Sequence, residues 1–300
     1  MKTLRLAKLL AERWRAQLDL LHVIAPSAPT FALHHAVSRI AISSRKTAHA
    51  ILKQFEDFAF EQSVQPLPYS CMIRVGVAAE KINETARKIG SDLIAIATRG
   101  YTGLKYAFLG STTAQVVRTA PCPVLVVREL DYLSAGERAR RGRTPLQFKK
   151  VLVPFDFSEC SRVGLDYALG VAREFQSRLL LFHSVIPQIY ALDEASGALE
   201  LNLIKLQEEY AEKEMEKLRR ELARKSIKVE TVIGLGSPVE QLNDCVRSHR
   251  VDLIVTSTHG RTGLKRLFMG STAEQIVRHA ISPVLVVPNR PSQKKPRKQR

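Results

Sequence analysis

The sequence predicts an α/β protein made of two tandem domains, each with a doubly wound, five-stranded parallel sheet. Residues 98–127 return almost unchanged as residues 258–287, a shift of 160 positions without a gap. A repeat this long corresponds to a whole domain rather than to one unit of a solenoid. Within each copy, short apolar runs alternate with amphipathic stretches, as strands and helices do in parallel sheets. With 45% hydrophobic residues, a chain of 300 residues can bury two such cores.

The second copy shows the expected elements most clearly. An apolar run at residues 150–155 ends in Asp156-Phe157-Ser158, which is typical of a buried strand followed by a helix N-cap. A helix should follow, with apolar residues at 163, 168, 171 and 172. The later elements are expected as strands at 179–185, 229–235, 253–257 and 284–287, and as helices at 204–225, 238–248 and 273–279. Together they predict a sheet with the strand order 3-2-1-4-5.

The first copy matches the second only from its second element onward. Aligning His22 with His183 places Met1 opposite Arg162, so the first copy starts inside its first helix and lacks strand 1. The expected strands lie at 19–24, 71–75, 93–97 and 124–127, with a long helix at 47–62. Because strand 1 would be central, its loss leaves two buried strand edges with unpaired backbone groups. We expect either a natural start upstream of Met1 or a deformed first sheet.

The repeat predicts a first domain at residues 1–128 and a second at 149–289, joined by a basic linker at 129–148 and followed by a basic disordered tail at 290–300. Linker and tail hold much of the net charge of +17. Their basic residues include Arg138, Arg140, Arg141, Arg143, Arg290, Lys294, Lys295, Arg297, Lys298 and Arg300. We interpret both runs as solvated charge, and binding of nucleic acid by the tail is the alternative.

Cysteine usage and hydropathy indicate the compartment. The four cysteines Cys71, Cys122, Cys160 and Cys245 have unrelated spacings, which favours neither a disulfide framework nor a zinc site. No run approaches the roughly 20 apolar residues of a membrane helix. We therefore predict a reduced, cytoplasmic protein with no export signal and no membrane contact.

A loop rich in Gly, Ser and Thr is the most faithfully repeated feature. In both copies two glycines are separated by nine residues, and a Ser-Thr pair follows the second glycine. These residues are Gly100, Gly110, Ser111 and Thr112 in the first copy and Gly260, Gly270, Ser271 and Thr272 in the second. Glycine lets backbone N–H groups approach an anion, the hydroxyls add donors, and the helix that follows presents its positive end. The pattern predicts a phosphate site, and the alternative is that the glycines shape turns while Ser111 and Ser271 cap helices.

Further motifs, in order along the chain, carry a resemblance to a known family. They are Val-Leu-Val-Pro-Phe-Asp-Phe-Ser at 151–158, Leu-Phe-His-Ser at 181–184, Asp-Leu-Ile at 252–254 and Ser-Pro-Val-Leu-Val-Val at 282–287. With the glycine loops, they make the chain resemble the universal stress protein (UspA-like) family over nearly its whole length, as a tandem of two Usp domains. The resemblance implies an adenine nucleotide alpha hydrolase-like, Rossmann-like fold for each domain.

The resemblance also implies an ATP site. In nucleotide-binding members the glycine loop holds the phosphates, an Asp ending strand 1 contacts the adenosine portion, and a backbone group after the strand-2 His contacts adenine. Carried over, these positions are Asp156, Ser184, Gly260, Gly270, Ser271 and Thr272 in the second copy and Val23, Gly100, Gly110, Ser111, Thr112 and Thr113 in the first. The first motif glycine is replaced by Ala97 or Ser257, and the first copy has no strand-1 Asp. We therefore expect the better site in the second copy, for ATP or another adenine nucleotide, with or without Mg²⁺.

The remaining candidates favour ordinary explanations. His22 and His183 recur at the end of strand 2 without a visible catalytic partner, so we interpret them as structural. The histidines at 34, 35 and 259 lack metal-ligand spacing, and we predict no metal site. The basic residues Lys105, Lys265 and Arg266 are interpreted as exposed charge, with steering of phosphate as the alternative.

The functional hypothesis is a universal stress protein that binds adenine nucleotide and acts in the stress response through nucleotide-dependent interactions. We predict no catalytic residue, because no general base or carboxylate pair for Mg²⁺ is evident beside the loop. The alternatives are a weak ATPase or autophosphorylating enzyme, and a scaffold whose basic tail binds nucleic acid. The resemblance further suggests that the last strands of the two copies pair within the chain as a pseudo-dimer. A homodimer of two chains is a further assembly to consider.

Overall fold

The computed structural model describes residues 2–25, 67–98, 109–128, 148–187, 194–225, 227–258 and 269–289, with the isolated helical residues 49, 50, 53 and 57. The chain divides into two compact units, Met1–Leu146 and Gln147–Arg300. The predicted tail and nearly all of the predicted linker lie outside the described residues, as does most of the helix predicted at 47–62.

The described strands of the first unit form two separate parallel pairs. Its described elements are α1 (Lys2–Trp14), β1 (Leu18–Ile24), β2 (Tyr69–Val75), α2 (Ala78–Ile89), β3 (Ile94–Ala97), α3 (Ser111–Thr119) and β4 (Val124–Val127). Strand β1 pairs with β2, with Leu18 opposite Tyr69, and β3 pairs with β4, with Ile94 opposite Val124. In the described part of this unit a helix, α1, comes first, and the sheet is split where strand 1 was expected to be missing.

Helix α1 packs against this split. It lies against β1, β3 and β4, and it buries Leu4, Leu6, Leu10 and Ala11. The helix thus covers part of the surface that a central strand would otherwise cover. Strand β1 nevertheless remains half-buried along most of its length, and only Leu20 is fully buried. The first unit therefore buries its sheet less completely than a five-stranded domain would.

The second unit is a doubly wound parallel sheet. Its described elements are β5 (Lys150–Pro154), α4 (Glu159–Phe175), β6 (Arg178–Val185), α5 (Glu194–Ala223), β7 (Val229–Leu235), α6 (Pro238–His249), β8 (Leu253–Ser257), α7 (Ser271–His279) and β9 (Val284–Val287). The strands lie in the order β7-β6-β5-β8-β9 and are parallel, which confirms the predicted order. Central strand β5 is paired on both sides, with Val151 opposite Leu179 and Leu253. Its residues Val151, Leu152 and Val153 have no exposed surface.

The long helix α5 differs from its prediction at its start. It begins at Glu194, ten residues before the predicted start at 204. The early part contains Ser196 and Gly197, which interrupt the amphipathic pattern but cost a helix only about 1 kcal/mol each or less. In the second half of the helix, apolar side chains three or four positions apart are buried: Ala211, Met215, Leu218 and Leu222.

Candidate functional site

The candidate site lies at the carboxyl edge of the second unit, where β5 and β8 are neighbours. The chain runs from β5 to β6 on one side and from β8 to β9 on the other. Such a reversal of strand order opens a crevice at the carboxyl ends of the strands, where ligands of α/β proteins bind. Asp156, Ser184 and Gly270, which were predicted from sequence, all follow or end strands at this edge.

Asp156 is held in a tight turn between β5 and α4. Its Oδ1 accepts hydrogen bonds from Ser158 N at 3.0 Å and from Ser158 Oγ at 2.6 Å. Ser158 is the N-cap of α4, because its Oγ accepts from Ser161 N at 3.1 Å. The turn role that the sequence left open for Asp156 is therefore real. It also means that the carboxylate is fixed in position at the end of the central strand.

His183 anchors the extension of β5. Phe155 N donates to Phe182 O at 2.8 Å, and His183 Nδ1 donates to Phe155 O at 2.7 Å. The imidazole therefore has a structural role, in agreement with the sequence interpretation. Its bond holds the segment that leads into Asp156.

The backbone of Ser184 points towards the crevice. Leu179 N bonds to Lys228 O and Val185 O accepts from Gly236 N, so the backbone groups of odd-numbered residues of β6 face β7. The groups of Ser184 therefore face the β5 side, where β5 has already ended with the pair Pro154 and Phe182. The Ser184 hydroxyl is turned elsewhere and donates to Gly236 O at 2.9 Å. The Ser184 N–H and C=O are therefore directed beyond the end of β5, and their contact with a base stays a prediction.

Helix α7 begins at the second glycine of the loop. Gly270 is its N-cap, with φ −60° and ψ 143°, and the cap makes no side-chain hydrogen bond. The Gly270 N–H donates to Thr258 O at 2.8 Å, which closes the loop at its base. Ser271 and Thr272 are exposed in the first turn. The alternative that Ser271 caps the helix is therefore wrong, because Ser271 is already inside the helix.

The first unit repeats this helix start. Gly110 is the N-cap of α3, again without a side-chain cap bond, and its N–H donates to Thr98 O at 3.0 Å. A Cβ at Gly110 would lie 3.1 Å from that carbonyl oxygen, which favours glycine here. Ser111 is exposed and Thr112 half-buried. The cap alternative for Ser111 is wrong for the same reason as in α7.

Other predicted residues of the first unit are less suited to a ligand. The Thr113 hydroxyl donates to Ala97 O at 2.8 Å, and the side chain is buried, so it supports the helix start. Val23 lies half-buried in β1 opposite Arg74. Several further predicted positions lie outside the described residues: Gly100, Gly260, Lys105, Lys265, Arg266, His34, His35 and His259.

Asn289 lies just beyond the carboxyl end of β9, and sequence analysis did not single it out. It follows β9, and its backbone N donates to Thr258 Oγ1 at 3.2 Å. Its Nδ2 donates to Cys160 Sγ at 2.8 Å, which connects the end of the domain with the first turn of α4. No motif marks this residue, because its partners are distant in sequence.

Cys160 is a buried thiol in the first turn of α4. Burial raises its pKa, and the nearby carboxylates of Asp156 and Glu159 raise it further. The thiol form is therefore favoured at neutral pH, and a reactive thiolate is disfavoured.

Within the described residues, no group of three or more His, Cys, Asp or Glu side chains could hold a metal ion. Among the described helices, none is both long and apolar enough to cross a membrane.

The parallel sheet of the second unit, with its strand order reversing between β5 and β8, is typical of α/β proteins that bind ligands at the carboxyl ends of their strands. The model of the universal stress protein family matches residues 1–128 and 147–288. The chain therefore belongs to the universal stress protein family and carries two copies of its domain.

Individual relatives match one copy or somewhat more. The universal stress protein MJ0531 of Methanocaldococcus jannaschii is 29% identical over 176 residues, which cover 59% of this chain and 98% of that protein. The universal stress protein YxiE of Bacillus subtilis is 27% identical over 146 residues, covering 47% of this chain and 99% of YxiE. The crystal structure of a universal stress protein from Archaeoglobus fulgidus covers 95% of this chain and 91% of its own, with a TM-score of 0.63 at 17% identity. At that identity the likeness concerns the fold.

Proposed function

We propose that this protein is an adenine-nucleotide binding module, with ATP as its ligand, and that the second unit holds the working site. The observation that carries the proposal is the arrangement at one sheet edge. Asp156, the outward backbone of Ser184 and the start of α7 all lie at the carboxyl ends of neighbouring strands. In the nucleotide-binding members of the family that this chain resembles, the residues at these positions contact the ribose, the base and the phosphates.

The start of α7 suits the phosphates. Its first N–H groups have no side-chain cap, and a helix N-terminus carries a partial positive charge that favours an anion. Ser271 and Thr272 are exposed at this end and add hydroxyl donors. A glycine at position 270 places no side chain between the backbone and the ligand. The donor set is therefore the kind that a phosphate chain requires.

The carboxylate and the β6 backbone suit a nucleoside. Asp156 is fixed by its turn, so it can accept hydrogen bonds from ribose hydroxyls without a large loss of side-chain entropy. The Ser184 N–H and C=O offer a donor and an acceptor in the plane of the sheet, which suits the edge of a base.

We further propose one working site per chain. The first unit has the same helix start in α3, but its described strands form two separate pairs, β1 with β2 and β3 with β4. An intact switch point, which forms the crevice, is thus present only among the described strands of the second unit.

The proposed role is binding and nucleotide-dependent interaction in the cytoplasm rather than catalysis. Two titratable side chains among the described residues of this edge already serve the fold: His183 holds Phe155, and Glu274 of α7 pairs with Arg278 at 2.9 Å. A general base must reach the attacking water or hydroxyl. We expect ADP release from ATP to stay at the background rate when followed by chromatography, and steady turnover would instead support the enzyme alternative.

A charge placed at the start of α7 tests the site. We predict that Ser271→Glu weakens ATP binding about tenfold or more, because the carboxylate repels the phosphates. The same carboxylate favours the helix N-terminus, so thermal stability should stay the same or rise. Titration calorimetry and a melting curve measure the two effects on one sample.

The matched control is Ser111→Glu, which makes the same change at the start of α3. It should leave ATP affinity within about twofold, because the first unit is not the working site. An equal loss of ATP affinity in both variants would mean that both units bind the phosphates. Unchanged ATP affinity in Ser271→Glu would mean that the start of α7 does not contact them.

A further inference from the structure

Phe157 has an unusual backbone conformation beside the crevice. Its φ is +65°, in the left-handed region, where a bulky side chain is rare and strained. The residue lies between Asp156 and the N-cap Ser158 and is enclosed by the turn that these two residues form. Strained conformations of this kind persist where surrounding contacts hold them, and they are frequent at ligand sites.

The Phe157 ring belongs to an aromatic cluster that is defined here by Phe155, Phe157, His183 and Tyr210. The ring centroid of Phe157 lies 5.6 Å from that of Phe155, 4.7 Å from that of His183 and 6.3 Å from that of Tyr210. Phe155 is buried, whereas Phe157 and His183 are half-buried and Tyr210 is 57% exposed. The cluster therefore runs from the core to the surface.

The position of this cluster matters for a nucleoside. Phe157 directly follows Asp156, and His183 directly precedes Ser184. Phe157 and His183 are thus chain neighbours of the two residues that the proposed function assigns to the nucleoside, and the His183 ring lies against Phe155 O, just beyond the end of β5. The polar contacts alone would suit any ribonucleotide, since Asp156 meets only ribose and a backbone pair can meet several bases.

We propose that Phe157 packs against the base and selects large purine bases, with Tyr210 as the outer wall of the same subsite. The inference rests on the proposed function, because it concerns the base of the same nucleotide. An aromatic face attracts a base through stacking and dispersion, and a purine offers more surface than a pyrimidine. The strain at Phe157 is then the means by which the turn brings the ring to the crevice.

The competing explanation is that the ring only fixes α5, through Tyr210, to the sheet. That role predicts a loss of stability and an equal effect on every ligand. A role in base packing predicts an effect confined to ligands that contain a base. Inorganic triphosphate, which engages only the phosphate subsite, separates the two explanations.

The test compares Phe157→Asn with the wild-type chain of 300 residues. Asparagine tolerates the left-handed backbone conformation, so the turn is kept while the ring is removed. We expect ATP affinity to fall about tenfold or more, the preference for ATP over CTP to shrink, and affinity for inorganic triphosphate to stay within about twofold. Tyr167→Ala, which removes another partly exposed aromatic ring from α4, is the control and should change none of these values.

The outcomes separate this inference from the proposed function. A wild-type chain that binds neither ATP nor triphosphate overturns both. Wild-type binding that Phe157→Asn leaves unchanged, or weakens equally for ATP and triphosphate, overturns only the base-packing role. If Phe157→Asn does not fold, Tyr210→Ala decides: a loss specific to ATP supports the subsite, and unchanged ATP affinity overturns it.

Discussion

At the scale of single residues, Asp156 combines a structural and a proposed binding role. Its Oδ1 accepts two hydrogen bonds from Ser158, and it ends the extension of the central strand. The two roles can be separated by chemistry. An asparagine side chain also has an Oδ1 that accepts hydrogen bonds, but it lacks the negative charge that strengthens bonds from ribose hydroxyls.

We predict that Asp156→Asn keeps the thermal stability within a few degrees and weakens ATP binding about tenfold, the value of one charge-assisted hydrogen bond. Asp156→Ala should lower both, because the turn also loses its acceptor. Melting curves and calorimetric titration of the two variants check this. Equal ATP affinity in the wild type and Asp156→Asn would mean that the carboxylate serves the turn alone.

The residue scale also shows what sequence could and could not predict. Asp156 and Ser158 were predictable, because short polar residues after an apolar run are typical of a turn and a helix cap. The conformation of Phe157 was not, since phenylalanine has no preference for positive φ. The bond from Asn289 to Cys160 joins residues 129 positions apart, and no local pattern signals it.

At the scale of elements, helix α4 packs closely against strand β8 at Gly164. A Cβ on Gly164 of α4 would lie 3.3 Å from Ser257 N and 3.5 Å from Thr256 C. Strand β8 is paired on both sides, so its backbone has little freedom to move away. The same helix contains Gly170, where a Cβ would meet no atom within 4 Å.

These two glycines form a matched pair for substitution. Gly170→Ala should stabilise the second unit by up to about 1 kcal/mol through helix propensity. Gly164→Ala gains the same propensity but meets the strand, so we expect it to be less stable than Gly170→Ala by about 1–3 kcal/mol. Hydrogen exchange of β5 amides reports the unfolding of this unit. Equal stabilities of the two variants would show that the helix can shift at no cost.

The strands of the second unit were predicted to within about two residues, because each is a continuous apolar run between polar turns. The start of α5 was missed by ten residues, since Ser196 and Gly197 resemble a loop when read locally. The helix starts at Gly110 and Gly270 show the same limit. Sequence marked the glycines, but only the backbone geometry distinguishes a capping glycine from a capping serine.

At the scale of the whole molecule, the described strands of the two copies are arranged differently. The second unit has a five-stranded sheet in its described part, whereas the described strands of the first form two separate pairs. The sequence predicted this difference from the alignment of His22 with His183. It did not predict that α1 would bury Leu4, Leu6 and Leu10 against the split.

This asymmetry predicts that the first unit unfolds more easily. The single tryptophan of the chain, Trp14, lies at the end of α1, so its fluorescence reports the first unit. In urea we expect the Trp14 transition at a lower concentration than the loss of exchange protection in β5 amides, because a less completely buried sheet is less stable. Coincident transitions, or the reverse order, would contradict this account of the split sheet.

The central claim is that one chain binds one adenine nucleotide, in its second unit. Native mass spectrometry of the 300-residue chain during titration with ATP counts the bound nucleotides directly. We predict a single added nucleotide that disappears in Ser271→Glu and persists in Ser111→Glu. No added nucleotide at millimolar ATP, or two that bind with equal affinity, would contradict the claim.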